Sequence, residues 1–163
     1  KNGKKVNQCK HHQKFGGWIF TKCLPLCLIS PSSVVIHQSI FQQIGYFNET
    51  MPVCEDYDLW LKLTDRYPIF FIDENLIVKR GGHEDQLSHS LPVMDFYRLK
   101  SLYDFLINKK NKDFNYHTAF EMFKKKYFII RQGAIKHNNL EILKKIEFAE
   151  SFINNEKFIK KVI

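Results

Sequence analysis

Near Pro92 the chain changes character, and that change fixes what it can fold into. Before it, short apolar runs are cut by Pro25, Pro31, Pro52 and Pro68; after it, apolar residues recur at helical spacing almost to the end. Met94, Tyr97, Leu102, Phe105 and Leu106 mark one helix, and Phe120, Phe123, Tyr127 and Ile130 a second. Leu140, Leu143, Ile146, Ala149 and Ile153 mark a third. Residues 108–115 and 137–139 are the expected connections. These aromatic and aliphatic stripes read as packing surfaces. With 163 residues, 44% hydrophobic and 15% aromatic, there is enough apolar side chain to bury one domain with a helical appendage.

The first part of the chain has a different rhythm. Residues 18–20, 26–30 and 33–36 read as short strands, and residues 69–72 and 76–78 as two more, separated by Asp73, Glu74 and Asn75. Between them Ser39-Ile40-Phe41-Gln42-Gln43-Ile44-Gly45 predicts a short helix, with Ser39 as its N-cap and Gly45 as its stop.

The densest chemistry lies in Val53-Cys54-Glu55-Asp56-Tyr57-Asp58-Leu59-Trp60-Leu61-Lys62-Leu63, where three carboxylates within four residues run into an apolar segment. Pro52 disfavours helix for Met51, and acidic residues suit a first turn whose exposed N–H groups favour negative charge. Leu59, Trp60 and Leu63 then provide an inward face, and Pro68 ends the helix at about Tyr67. Capping alone would account for acidic residues here. A carboxylate at such a helix mouth is also placed to accept a proton. Asp58 fits a structural pair with Lys62 at i+4.

The net charge of +8 comes largely from lysines at the two ends and suggests an anionic partner: a nucleotide diphosphate, an acidic glycan, a lipid phosphate or nucleic acid. No apolar run reaches the roughly 18 residues that span a bilayer. The four cysteines, Cys9, Cys23, Cys27 and Cys54, match no structural zinc spacing even with His11 and His12 nearby. They read as free thiols in a reducing compartment. The start, Lys1-Asn2-Gly3-Lys4-Lys5, resembles no signal peptide and no natural beginning, which suggests a piece of something longer.

Three stretches taken together resemble the second half of a family 2 glycosyltransferase with the GT-A fold. They are Ile29-Ser30-Pro31-Ser32-Ser33-Val34-Val35-Ile36, Phe41-Gln42-Gln43-Ile44-Gly45-Tyr46-Phe47-Asn48-Glu49, and Glu55-Asp56-Tyr57-Asp58-Leu59-Trp60-Leu61-Lys62-Leu63. Val78-Lys79-Arg80-Gly81-Gly82-His83-Glu84-Asp85-Gln86-Leu87-Ser88 resembles the basic, His-containing segment that follows in one bacterial subgroup.

The resemblance implies an α/β fold: residues 1–90 as the acceptor-side half of a GT-A-type domain, residues 91–163 as a helical extension. It implies Asp56 as the base that deprotonates the acceptor hydroxyl, with Glu55 shaping the acceptor site. Lys79, Arg80 and Gly82 would meet the leaving diphosphate, Trp18 would stack on a sugar ring, and His83 would approach a divalent cation, Mn²⁺ or Mg²⁺. Asp56-Tyr57-Asp58 has the form of the metal-holding Asp-x-Asp of such enzymes. There the motif follows a buried apolar strand, whereas here Met51-Pro52-Val53-Cys54 precedes it, so it is assigned to the acceptor side.

The implied partners are a nucleotide-sugar donor, a glycan or lipid-linked acceptor, and a missing N-terminal half without which the fragment is inactive. The implied location is cytoplasmic, with peripheral contact at the inner membrane face as an extension of it, and no specific nucleic acid is expected. The rival is a non-catalytic basic helical module that binds nucleic acid or an acidic surface through Lys124-Lys125-Lys126 and Lys144-Lys145.

Overall fold

The computed structural model of the protein describes residues 13–74, 76–78 and 94–162, with backbone alone for residues 157–162. The chain divides into two compact units, Lys1–Met94 and Asp95–Ile163.

In the first unit a one-turn helix α1 (Phe20–Cys23) leads through a 3₁₀ turn at Pro31–Ser33 to α2 (Gln38–Ile44) and then α3 (Glu55–Arg66). The N-cap of α2 is His37 rather than Ser39: the imidazole Nδ1 accepts from the Ser39 amide at 3.3 Å and meets its hydroxyl at 2.8 Å. Gly45 stops α2 as expected. Its φ of 84° lies where a Cβ is penalised, and its N–H reaches Phe41 O at 2.9 Å.

The helix α3 packs on both α1 and α2, and its burial is wider than a single stripe. Leu59, Trp60 and Leu63 meet Ile44, with Val34, Ile36, Ile40 and Phe41 around them. Tyr57, Asp58, Leu61 and Thr64 are buried as well. Ile19, Cys23 and Leu28 form the neighbouring cluster with Phe15, Ile29 and Ile69.

The expected strands do not form ladders among the described residues. Phe20 enters α1, Ser33 enters the 3₁₀ turn, and one isolated antiparallel bridge joins Gly17 to Ile69 through hydrogen bonds of 2.7 and 2.9 Å. An extended run becomes a strand only when a partner accepts and donates along its length. Beyond the Gly17–Ile69 bridge no such partner lies along these runs among the described residues, and Phe70 and Val78 are 90% and 89% exposed. The bridge is a close approach: a Cβ on Gly16 would stand 3.1 Å from Phe71 Cβ and 3.2 Å from Ile69 O.

The second unit is helical: α4 (Met94–Asn108), α5 (Phe114–Lys136), α6 (Leu140–Lys145) and α7 (Glu147–Val162). Asp113 caps α5 by accepting from the Tyr116 amide at 3.0 Å, and Asn139 caps α6 from the Ile142 amide at 3.1 Å. Tyr103 gathers the core, with ring centroids 4.8 Å from Phe148, 5.3 Å from Phe152 and 6.3 Å from Phe123. The third stripe, expected as one helix, breaks at Ile146 into α6 and α7, and Leu140 is exposed. Ile146, Ala149 and Ile153 stay buried and Leu143 half-buried across the break, so the stripe survives although the single helix does not.

Candidate active site at the head of α3

The chain reaches α3 through a turn that fixes its entry. Asn48 Oδ1 accepts from the Thr50 amide at 3.1 Å and the Thr50 hydroxyl at 2.7 Å, and the Met51 amide returns to Asn48 O at 3.1 Å. Met51, Val53 and Cys54 are then buried. Cys54 precedes the helix with φ of 64°, the left-handed region, and makes no side-chain cap bond. The first helical bond is Asp58 N to Cys54 O at 3.0 Å.

Glu55 and Asp56 occupy the opening turn, both half-buried. Asp56 Oδ1 accepts from the Tyr57 amide at 2.7 Å, one of the N–H groups a helix start leaves over. Asp56 Oδ2 accepts from the Cys27 thiol at 3.0 Å. A carboxylate has about four lone-pair positions, so two donors orient it and still leave acceptor capacity for a third.

Cys27 reaches Asp56 because the first turn of α3 holds the chain that carries it. Tyr57 is buried, and its hydroxyl donates to Leu24 O at 2.6 Å, pinning the end of α1 beside Asp56. The single S–H also faces Ile29 O at 3.3 Å, so the thiol has two acceptors and one proton. The sequence places Cys27 only among the free thiols. Twenty-nine residues separate it from Asp56, and no local pattern signals the pairing.

Asp58 is 2% exposed and paired with Lys62 Nζ at 2.6 Å. Residues two apart on a helix point to different sides, so Asp56 and Asp58 do not close on one cation. The Asp-x-Asp form carries no metal geometry here. Among the described residues no group of three or more His, Cys, Asp or Glu is placed to hold a metal. Trp60 is core, as its apolar setting predicts.

Trp18 is 67% exposed, beside the Gly17–Ile69 bridge. Ile69 follows the C-terminal end of α3, whereas Asp56 stands in its first turn. Lys79, Arg80, Gly82 and His83 lie outside the described residues.

The chain is similar to three uncharacterized glycosyltransferases of Rickettsia. It is 41% identical to the one from Rickettsia felis over 70 residues, which are 42% of this chain and 12% of that protein. Identity is 39% to the one from Rickettsia conorii and 36% to the one from Rickettsia bellii over the same length, 11% and 10% of those proteins. The matched segment spans about a tenth of these relatives. No family model matches the chain, and no solved structure matches it significantly.

Proposed function

We propose that this chain carries the acceptor side of an inverting glycosyltransferase of family 2 with a GT-A-type α/β domain, and that Asp56 is its base. The likeness to the rickettsial glycosyltransferases supports sugar transfer. The observation that carries the residue assignment is the half-buried Asp56 carboxylate, oriented by the Tyr57 amide and the Cys27 thiol with lone pairs to spare.

In the reaction, an acceptor hydroxyl lying against Asp56 gives it a proton as the oxygen attacks the anomeric carbon of a nucleotide-sugar. The new C–O bond forms on the face opposite the departing nucleoside diphosphate, so the sugar carbon inverts. Glu55, next along the turn, shapes the acceptor side. The acceptor is a glycan or a lipid-linked sugar, and the setting is the cytoplasmic face of the membrane. A divalent cation would neutralise the diphosphate in the intact enzyme. The described residues do not assemble its ligands, and no step is assigned to it.

In a protein joining this segment to a nucleotide-binding half, Asp56→Asn should lower transfer by about 10² or more, the scale of a lost general base, and leave nucleotide-sugar binding unchanged. Titration calorimetry and turnover on the same preparation separate the two. Full turnover by the variant would end the assignment.

The rival basic module loses ground on one observation. Lys126 is buried against Asp95 at 3.1 Å and Lys124 meets Glu121 at 2.7 Å, so two members of the triple-lysine run are spent within the unit.

A further inference from the structure

The helix α5 is buried along one face and carries large apolar side chains on the opposite one. One holds Tyr116, Ala119, Phe120, Phe123, Tyr127 and Ala134, all buried. The other holds Lys125, Phe128, Ile129, Gln132 and Lys136 at i, i+3, i+4, i+7 and i+11, all exposed. Phe128 and Ile129 leave 50% and 54% of their surface in water, and Ile135 at the edge of the same face leaves 53%. A helix lying on a soluble core normally turns a polar side outward.

The charge around this face is mostly positive, with Glu121, paired to Lys124, at its N-terminal edge. Residues 122–140 contain five lysines and arginines and no Asp or Glu. Lys124 and Lys126 are drawn to Glu121 and Asp95, and Arg131 lines a hollow with Glu147 and Glu150, while Lys125 and Lys136 are exposed. Large apolar side chains flanked by cations on one face of a helix suit the boundary between headgroups and acyl chains. There the rings and branched carbons leave water and the cations meet anionic lipid. A nucleic acid would take the cations and leave Phe128 and Ile129 wet. A second copy meeting face to face would set like charges against each other.

We infer that the Lys125–Phe128–Ile129–Lys136 face of α5 docks on an anionic lipid surface. This rests on α5 alone and is independent of the sugar-transfer reading.

The test is sedimentation of the 163-residue chain with two kinds of vesicle: phosphatidylcholine alone, and phosphatidylcholine mixed with phosphatidylglycerol. The chain should pellet with the mixed vesicles, less so as salt rises, and not with the neutral ones. Phe128→Ser should weaken partitioning on the order of tenfold, and Lys125→Gln about fivefold, each with an unchanged circular dichroism spectrum. Should Phe128→Ser fail to fold, Ile129→Ser replaces it. Equal pelleting with both vesicle types, none with the mixed vesicles, or folded variants that pellet like the parent would each overturn the inference. So would salt-sensitive binding to duplex DNA without vesicle binding, or a dimer that Phe128→Ser dissolves in a chain indifferent to vesicles.

Discussion

The Cys27 thiol and the Asp56 carboxylate are 3.0 Å apart, and each sets the chemistry of the other. A negative charge beside the sulfur disfavours its thiolate, the form that reacts with alkylating reagents. Asp56→Asn should therefore speed iodoacetamide labelling of Cys27 by roughly threefold or more, read by mass spectrometry in a Cys9→Ser background. Cys23 provides the internal control. Burial pushes its thiol up to about 11, against a hydrogen bond from Thr64 and the charge of Lys14, so it should stay unlabelled. An unchanged rate at Cys27 would mean that the two groups are not in contact in solution. The place of Asp56 in the first turn of α3 was legible from residue order, because acidic residues suit a helix start. Cys27 was not, since its significance is a contact made across 29 residues.

At the scale of elements, α3 shows how a pattern can be right in place and too narrow in extent. Its bounds, Glu55–Arg66, follow from the acidic opening and from Pro68, and the buried Asp58–Lys62 pair follows from i+4 spacing. Burial of Tyr57 and Thr64 was not in the pattern, because a polar-tipped side chain becomes core only when an acceptor waits for its hydroxyl. Leu24 O takes the first at 2.6 Å and Trp60 O the second at 2.7 Å. Tyr57→Phe should cost about 1–2 kcal/mol in urea unfolding by orphaning the Leu24 carbonyl. It should also quicken Cys27 labelling by loosening the segment that presents it. Loss of stability without a change in labelling would separate the two roles. Among the described residues, 69–72 and 76–78 have the composition of strands but form no ladder beyond the Gly17–Ile69 bridge: a ladder is a property of two segments and composition describes one.

At the scale of the whole molecule, the helical unit carries its own pH window. Against the upward push of burial, Lys126 and Arg98 hold the Asp95 carboxyl below its ordinary 3.8. The Tyr116 amide and Lys109 do the same for Asp113, again against burial. Because both values are lowered on folding, their stabilisation is complete above the ordinary carboxylate range and drains away as pH falls through it. Tyr116 is shifted the other way, raised by burial and by Glu156, so its contribution is present below its ordinary 10.0 and fades above. The thermal midpoint should be flat between about 5 and 9 and fall on both sides. Asp95→Asn should lower the midpoint at neutral pH and flatten the acid limb; an acid limb identical to the parent's would remove Asp95 from the account.

The sequence alone determined the helical character beyond Pro92, the position and ends of α3, and the carboxylate at its head. Each depends on residues within a few turns of one another, where spacing is geometry. Tertiary structure decided that Cys27 faces Asp56, that Lys126 is buried against Asp95, and that α5 leaves Phe128 and Ile129 in water. These are contacts or exposures between segments distant along the chain. Such relations arise only when burying one surface dictates which other surface meets it.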